Sequence, residues 1–192
     1  MKKNYDEICI KSIDEPEGFY NNGLPIVRPV ASKIFKGKIN SQTVCFYMKD
    51  SRISGGATGN REGLKYIAAA YVAYMNDWPL FVWNDSAGAN IGEGIVALNR
   101  GGQGFMMNSL LSENLNYIKF KKYINNVPDE RLRELFEELD ETFGLDDKHF
   151  KKGRRNFQFV AVGIGSSAGL DVYGSSQASI QLLLDPTQVI VE

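Results

Sequence analysis

The stretch Pro79-Leu80-Phe81-Val82-Trp83-Asn84-Asp85-Ser86-Ala87-Gly88-Ala89-Asn90-Ile91-Gly92-Glu93-Gly94 decides the fold of this chain. Its apolar start, residues 79–83, predicts a strand, and a helix-compatible segment begins at Ile91. A cluster of small polar residues separates the two. A strand, a tight turn and a helix start in this order are typical of a layered α/β fold.

The turn between strand and helix contains the small residues Ala87, Gly88 and Ala89. Small side chains let a ligand touch the backbone, and N–H groups at a helix entry have no partner within the helix. Such amides can hold an oxyanion without a catalytic side chain. We therefore predict that the Ala87 and Gly88 amides point unpaired into a cleft. The alternative is an ordinary loop in which Asp85 or Ser86 caps the helix.

A second turn of the same kind lies near the other end of the chain. Residues 157–164 are rich in β-branched and aromatic residues and predict a buried strand. The small polar residues of 165–174 follow it. Two such turns in a single domain could supply two facing amide donors. Enolate chemistry on a thioester needs that pairing.

Strand and helix patterns alternate along the rest of the chain. Residues 34–48 predict two strands around a polar turn, and residues 60–75 predict an amphipathic helix. The further predicted elements are a helix over 91–111, a helix over 174–183 and a strand from Val189 onward. Repeated strand–helix units predict a layered α/β fold.

Length, charge and hydropathy limit the function classes. With 192 residues the chain is one domain by size, and its net charge of −1 gives no broad electrostatic argument for nucleic acid or anionic membrane. No apolar run reaches about 18 residues, and the first residues lack the apolar stretch of a signal peptide. We predict a cytoplasmic protein without a membrane span and without a nucleic-acid partner.

The few potential metal ligands are dispersed. Cys9 and Cys45 show no metal-ligand spacing, and His149, the single histidine, lies near neither. Two idle thiols in a reducing compartment are the usual interpretation of such a pattern. We predict no metal site.

Four motifs, in order along the chain, resemble segments of the biotin-dependent acyl-CoA carboxyltransferases, a branch of the crotonase-like superfamily. Asp85–Gly94 resembles the family segment DSGGARIQEG, and Lys49–Ala57 is similar to the strand and Gly-Gly turn before it. Asn99–Gly104 resembles the NRRGGG stretch of the glutaconyl-CoA decarboxylase carboxyltransferase subunit. Ser167–Tyr173 looks like the second family turn, Ala-Gly-Gly followed by an aromatic residue. The resemblance spans roughly residues 24–192, with one interruption.

The resemblance implies a single crotonase-like domain over residues 1–192, a spiral of repeated β-β-α units as in the ClpP/crotonase fold. It implies a site in which the backbone amides of Ala87, Gly88, Gly169 and Leu170 hold the enolate of an acyl-CoA. The substrate-binding residues that it implies are Gly55, Gly56, Ala57, Ala89, Arg100, Gly101 and Gly102.

The resemblance also implies partners, because family members contain two crotonase-like halves and this chain resembles the first. Biotin is the implied cofactor, on a separate carrier protein, and a coenzyme A thioester is the substrate. A C-terminal half or second subunit, and a homo-oligomer, are the implied assembly. The carboxyl group moves between carboxybiotin and the acyl-CoA, and decarboxylases of the family run the steps backwards.

The chain departs from the family motifs at three positions of the two turns. Ala87 stands where the family prefers Gly, and its amide remains a donor if φ is negative. Asn90 replaces an Arg, which removes a positive charge. Leu170 replaces the second Gly of the later turn, which disfavours a positive φ there and predicts a narrower cleft.

Two segments flank or interrupt this pattern. Residues 1–23 are polar and turn-rich and are predicted to lie over the surface. Residues 112–156 are predicted to form a charged helical insertion, with one helix that starts after Pro128 and has an acidic outer face. A basic stretch over 148–155 follows. The insertion could be a lid, a partner surface, part of a pocket for coenzyme A phosphates, or a solvated segment.

Other functions fit parts of the pattern. A hydratase or isomerase would use Glu93 or Asp171 to move protons. A Clp-like serine peptidase would use Ser86, His149 and either Asp171 or Asp185. An α/β-hydrolase is disfavoured, since no histidine follows the G-x-S-x-G pattern of residues 165–169. A non-catalytic or incomplete carboxyltransferase-like module is the remaining alternative.

A partner surface can also be predicted from the apolar residues beside the glycine-rich segment. Met106, Met107, Leu110 and Leu111 are the candidates for a surface that binds a second polypeptide. Their spacing is equally compatible with the buried face of a helix.

Overall fold

The computed structural model describes residues 5–14, 19–21, 24–26, 29–112, 117–143, 158–183 and 188–190. The strands are β1 (Tyr5–Ile8), β2 (Phe19–Asn21), β3 (Leu24–Ile26), β4 (Ser32–Ile39), β5 (Gln42–Lys49), β6 (Leu80–Ser86), β7 (Phe159–Ala168), β8 (Ile180–Leu183) and β9 (Gln188–Ile190). The α-helices are α1 (Lys11–Asp14), α2 (Asn60–Met75), α3 (Ile95–Ser112), α4 (Tyr117–Asn125), α5 (Glu130–Phe143) and α6 (Leu170–Ser176). Short 3-10 turns lie at Ser54–Gly56 and Ile91–Glu93.

One mixed sheet carries the fold. Its strand order is β1-β4-β5-β6-β7-β8, with β9 also paired to β7. The strands from β5 to β8 are parallel neighbours, while β4 and β1 add to the edge antiparallel. Because parallel strands end at one edge, the segments that follow β5, β6 and β7 meet at the same end of the sheet. The predicted α/β class is confirmed.

Helix α2 has the bounds that the apolar spacing predicts, and it packs on the sheet as the central core element. Glu62 makes the capping box, since its carboxylate accepts from the Gly59 N–H at 3.0 Å. The second oxygen accepts from the Ala31 N–H at 2.9 Å, which joins the helix start to the segment before β4. No helix in the described ranges is long and apolar enough to cross a membrane.

Part of the predicted insertion joins the core. Helix α5 buries an apolar face against α2, where the rings of Tyr71 and Phe136 lie 5.2 Å apart between centroids. The Tyr71 hydroxyl donates to Asp140, which also pairs with Lys121 of α4. The basic stretch 148–155, with His149, lies outside the described residues, so its predicted roles stay predictions.

Part of the N-terminal segment, predicted to lie over the surface, belongs to the core. Strand β1 lies at the sheet edge and is largely exposed, in keeping with the surface prediction. The prediction is wrong for Ile10 and Ile13, each 1% exposed within the core. Asp14 is anchored by Lys65 of α2 at 2.5 Å. Two buried apolar side chains and one partly buried ion pair therefore connect residues 10–14 to the core.

The predicted helix over residues 174–183 is wrong. Helix α6 covers Leu170–Ser176 instead, and Ile180–Leu183 form strand β8. The Ser179 N–H donates to the Phe159 carbonyl at 2.9 Å, which starts the parallel pairing of β8 with β7. A short apolar run is ambiguous between helix and strand, and here the open edge of β7 decides it.

The four apolar candidates for a partner surface divide between core and surface. Met107 and Leu111 are buried, which contradicts that prediction for these two residues. Met106 is exposed and Leu110 is half-buried. Since α3 packs one side on α2, residues of one helical stripe are buried and their neighbours face outward.

Neither cysteine lies in a metal-binding cluster of the described residues. Cys9 is exposed, and Cys45 is buried in β5, where burial raises the pKa of its thiol to about 12. Within these ranges, no group of three or more His, Cys, Asp or Glu side chains is placed to hold a metal ion.

Candidate functional site

The loop after β5 and the turn after β6 are joined by backbone hydrogen bonds. The Thr58 N–H donates to the Gly88 carbonyl at 2.7 Å, and the Asn90 N–H donates to the Thr58 carbonyl at 2.9 Å. These bonds make a parallel bridge between Thr58 and Ala89. The predicted substrate-binding residues Gly55, Gly56, Ala57 and Ala89 are therefore brought to one place.

The prediction that the Ala87 and Gly88 amides are unpaired is wrong. The Ala87 N–H donates to the Gly55 carbonyl at 2.9 Å. The Gly88 N–H donates to the Ser86 Oγ at 3.1 Å. Both amides are used to shape the turn, because the loop before α2 lies directly against the end of β6. A short-range pattern cannot reveal a partner 32 residues away.

Ala89 supplies the amide that the first turn still offers. Thr58 makes both hydrogen bonds of this parallel bridge, to the neighbours of Ala89. In such a bridge the other residue, here Ala89, directs its own N–H and C=O away from the bridge. The Ala89 N–H therefore points away from Thr58, toward the side of β6 on which β7 lies. It has no hydrogen-bond partner in the described part of the chain. The sequence pattern had placed the free amide one to two residues too early.

The two predicted turns do meet. A Cβ added at Gly88 would lie 2.9 Å from the carbonyl oxygen of Ala168, the last residue of β7. Strand β7 extends through the residues predicted as turn, so the second turn is reduced to Gly169, with φ of 46°. Leu170 is the first residue of α6, and its N–H has no partner within the helix. The positive φ thus falls on Gly169, and Leu170 takes an ordinary helical conformation.

A buried hydrogen-bond network connects the end of β6, next to the first turn, to the loop after β5. Ser86 Oγ donates to the Gly56 carbonyl at 2.8 Å and accepts from Lys49 Nζ at 3.2 Å. Lys49 also donates to Thr58 Oγ1 at 2.5 Å. Ser86 is 1% exposed, so its hydroxyl serves the turn and does not face a substrate. With His149 outside the described residues, nothing in this arrangement favours a serine peptidase.

Glu93 has a structural partner. Its carboxylate accepts from the Asn60 N–H at 2.6 Å and from Asn90 Nδ2 at 3.0 Å. It therefore lies at the N-terminus of α2, where the helix dipole stabilises a negative charge. Asn90 itself caps the next 3-10 turn, since its Oδ1 accepts from the Gly92 N–H at 3.1 Å. These contacts give no support to Glu93 as the proton carrier of a hydratase.

Arg100 crosses from α3 to α2 and α5. Its guanidinium donates to Asn60 Oδ1 at 2.5 Å and to Gln103 Oε1 at 2.7 Å, and it pairs with Asp129 at 2.7 Å. The side chain is buried and lines a cavity together with Gly101. Gly102 is exposed and does not line that cavity. The structure thus brings together two of the three residues predicted from the glycine-rich segment.

The Arg100–Asp129 pair makes stability depend on pH. Burial raises the pKa of Asp129, but hydrogen bonds from Gln103 and Arg100 outweigh it and hold the pKa below its ordinary value. A lowered folded-state pKa means that the stabilisation is present above the unfolded value, about 3.9, and is lost as pH falls through the folded value.

We expect Asp129→Asn to lower the unfolding free energy by about 1–2 kcal/mol at neutral pH, because Arg100 loses its buried counter-charge. Asn keeps the cap on α5, where Asp129 Oδ1 accepts from the Leu132 N–H. Urea unfolding at several pH values measures the effect, with exposed Glu130→Gln as control. A deficit that does not shrink below about pH 4 would contradict the ion-pair explanation.

Two residues of the site were not predicted. Asn84 is 3% exposed and faces α3 and α6, since every second residue of β6 from Leu80 is buried. Lys49 ends β5 and is buried. The signal was available for Asn84, because it continues the alternation of Leu80 and Val82, but the strand was predicted to stop at Trp83.

Parts of this chain are similar to known proteins in sequence and in fold. Residues 33–120 match the family model of the carboxyl transferase domain. Over 94 residues the chain is 35% identical to the biotin-dependent acetyl-/propionyl-coenzyme A carboxylase beta5 subunit of Mycobacterium leprae (strain TN). That match covers 48% of this chain and 17% of the mycobacterial protein, so it spans less than a fifth of the relative's length.

Two solved structures share the fold. Transcarboxylase 12S aligns with a TM-score of 0.65 at 18% identity, over 97% of this chain and 29% of that one. The beta subunit of P. aeruginosa geranyl-CoA carboxylase aligns with a TM-score of 0.62 at 13% identity, over 99% of this chain and 28% of that one. At these identities the likeness concerns the fold, and it confirms the predicted crotonase-like architecture.

The matched residues contain most of β4, all of β5 and β6, the bridged turn and the Arg100 segment, but neither β7 nor Gly169. The finer resemblance to the glutaconyl-CoA decarboxylase subunit stays a prediction. Residues 33–120, somewhat under half of the chain, match the carboxyl transferase domain, and over this part the chain is similar to biotin-dependent acyl-CoA carboxyltransferases.

Proposed function

We propose that this chain is the acyl-CoA-binding, N-terminal half of a biotin-dependent carboxyltransferase. The observation that carries the proposal is the contact between the two turns at Gly88 and Ala168. The contact supports a site made of the Ala89 N–H and of the amides of Gly169 and Leu170, which begin α6. In this proposal the donors after β6 and after β7 serve one oxygen atom.

The role of this chain is to stabilise a negative oxygen. When the α-proton leaves an acyl-CoA, charge develops on the thioester carbonyl oxygen, and preorganised amides lower the barrier by about 3 kcal/mol each. We assign this role to the amides of Ala89, Gly169 and Leu170, and we withdraw it from Ala87 and Gly88. Ala87, Gly88 and the Gly55–Ala57 turn hold the site in shape. No side chain in the described part is assigned as a general base.

Biotin on its carrier protein would supply or accept the carboxyl group. We assign no described residue to biotin, because the resemblance assigns it mainly to the second half of the family's protomer. The roles proposed for this chain are therefore to bind the thioester, to orient its carbonyl oxygen and to keep that oxygen away from water.

Calorimetry tests the proposal directly. We expect acetyl-CoA to bind the purified chain and to bind more tightly than free coenzyme A, which lacks the carbonyl oxygen. Competition between the two shows whether they share a site. Equal affinity for both would contradict the assigned amides, since the carbonyl would then contribute nothing.

We also propose that the first residues after the bridged turn contact a second polypeptide, and that the chain forms a homo-oligomer. Ile91 and Ile95 are 94% and 78% exposed, and Val96 and Leu98 are also exposed. Neighbouring apolar side chains of this size on a surface are typical of an interface. This surface replaces the predicted one at Met107 and Leu111.

Changing Ile95 to Asp should shift the chain toward the monomer, because a charge in an apolar interface is costly to desolvate. Sedimentation velocity over a concentration series measures the shift, and we expect at least a tenfold weaker association, about 1.4 kcal/mol. Ile39→Asp, at the exposed β4–β5 turn, is the matched control. If both variants associated like the unchanged chain, this surface would be excluded as the interface.

A further inference from the structure

The lysine at the end of β5 connects both segments of the bridged turn. Lys49 Nζ donates to Thr58 Oγ1 at 2.5 Å and to Ser86 Oγ at 3.2 Å. The Ser86 Oγ also accepts from the Gly88 N–H at 3.1 Å. The loop after β5 and the end of β6 therefore share contacts with one ammonium group.

The peptide group between Gly88 and Ala89 depends on these contacts. Its carbonyl oxygen, which belongs to Gly88, accepts from the Thr58 N–H at 2.7 Å. Because a peptide group is planar and almost always trans, its N–H, which belongs to Ala89, points in the opposite direction. A hydrogen bond accepted by the carbonyl polarises the group and strengthens the N–H as a donor. Lys49 thus holds, through Thr58 and Ser86, the peptide group that presents the proposed amide.

Positioning alone does not require a charged side chain. Lys49 is 7% exposed, and removing an ammonium group from water costs free energy that a neutral donor does not cost. The amide of a glutamine could also donate to hydroxyl oxygens. The buried charge therefore points to a role in which the charge itself acts.

The ammonium group lies close enough to act on an oxygen bound at the Ala89 amide. Lys49 Nζ, Ser86 Oγ and the Gly88 nitrogen follow one another at 3.2 and 3.1 Å. One residue further along the chain adds at most about 3.8 Å, and a hydrogen bond to the oxygen adds about 3 Å. At roughly 13 Å or less, and with an effective dielectric constant of about 20, one charge favours an anion by about 10-fold.

Two carboxylates near the turn carry the opposite charge. Glu62 accepts from the Gly59 N–H, and Glu93 accepts from the Asn60 N–H. Backbone N–H groups at a helix start carry partial positive charge, which offsets these carboxylates. Lys49 donates to two neutral hydroxyls, and these two contacts leave its charge in place.

We infer that Lys49 is a positioning residue of the proposed site, and that its buried charge adds to the stabilisation of the negative oxygen at the Ala89 amide. The inference rests on the proposed function, since that function supplies the oxygen. Lys49 acts through Thr58 and Ser86 and is assigned no contact with the substrate. Removing its charge should weaken the binding of an anionic ligand more than that of a neutral ligand of the same shape.

Two thioethers of coenzyme A are the matched ligands for the test. S-carboxymethyl-CoA ends in a carboxylate, and S-carbamoylmethyl-CoA has a neutral amide of the same size in its place. Calorimetry measures both affinities, and their ratio isolates the charge because the coenzyme A part is shared. We expect the unchanged chain to prefer the carboxylate. Lys49→Gln, which keeps an N–H donor for the hydroxyls, and Lys49→Met should each lower this ratio about 10-fold.

Lys38→Met is the control, because it removes the same charge at the exposed far end of the β4–β5 hairpin, roughly 20 Å along the sheet. Its ratio should equal that of the unchanged chain. Lys49→Arg keeps the charge and should keep the ratio, whatever happens to the two separate affinities. Equal losses for both ligands in Lys49→Gln would show a merely structural role and overturn the inference. Far-UV circular dichroism checks the fold of each variant.

A measurement on the unchanged chain needs no variant. Salt screens a buried charge little, so the preference for the carboxylate should persist at about 1 M ionic strength. Loss of the preference there would assign it to surface charges and overturn the inference. If acetyl-CoA binds more tightly than free coenzyme A but the carboxylate is not preferred, the inference falls and the proposed function stands. If neither acetyl-CoA nor the thioethers bind more tightly than free coenzyme A, both fall.

Discussion

Replacing Gly88 with alanine should weaken acetyl-CoA binding on the order of 100-fold, the effect of displacing binding groups by about 1 Å. Gly88 has φ of 91°, which L residues rarely adopt, and its added Cβ would lie 2.9 Å from the Ala168 carbonyl oxygen. That oxygen belongs to the backbone, so the first turn must move away from β7. Because Ala89 follows directly, its N–H would move away from Gly169.

Calorimetry with acetyl-CoA and with free coenzyme A measures this loss, and thermal unfolding shows whether the fold survives. Ser109→Ala, at an exposed position of α3, is the control, since alanine favours the helix. We expect the control to bind like the unchanged chain. Unaltered acetyl-CoA affinity in Gly88→Ala would show that the contact between the two turns does not shape the binding site.

Replacing Gly56 with alanine should lower the unfolding free energy by about 3 kcal/mol or more. Gly56 has φ of 68°, and an added Cβ would lie 2.2 Å from the Asp85 carbonyl oxygen. Strain at this φ and displacement of packed backbone each cost about 1–3 kcal/mol. The displacement would also lengthen the bond from Ser86 Oγ to the Gly56 carbonyl.

Gly55→Ala is the matched control for that variant. Gly55 has nearly the same φ, 63°, but its Cβ would make an ordinary 3.4 Å contact with the Ala87 Cβ. We expect a loss of about 1 kcal/mol, from the backbone conformation alone. Chemical unfolding of both variants separates the two causes. Equal losses would show that φ, and not the approach of the turn to β6, decides the stability.

The spacing of apolar residues correctly predicted those elements that bury one face against the core. Helix α2 has the predicted bounds, because its apolar spacing and capping box act within one segment. The hairpin of β4 and β5 follows from two apolar runs around a polar turn. Strand β8 was missed because its conformation depends on the edge of β7, which no local pattern contains.

The candidate site, too, could be predicted from the sequence only in part. The small residues at 87–89 and at Gly169 predicted where two turns meet, because only small side chains permit that approach. Which amide stays free could not be predicted. The Ala87 N–H is taken by Gly55, and the orientation of Ala89 follows from its bridge to Thr58.

The amino-acid sequence by itself determined the α/β class, most of the core elements, the two small-residue turns and the likeness to carboxyltransferases, because each depends on composition and spacing within short segments. Only the tertiary structure decided which backbone amide of the first turn stays free of a hydrogen bond. It also decided that the Ser86 and Glu93 side chains hydrogen-bond to backbone groups and that Asn84 lines a cavity. These features depend on contacts between residues far apart in the chain. The physical reason is that hydrogen bonds are short and directional, so the final pairing follows from where the packed backbone places each donor.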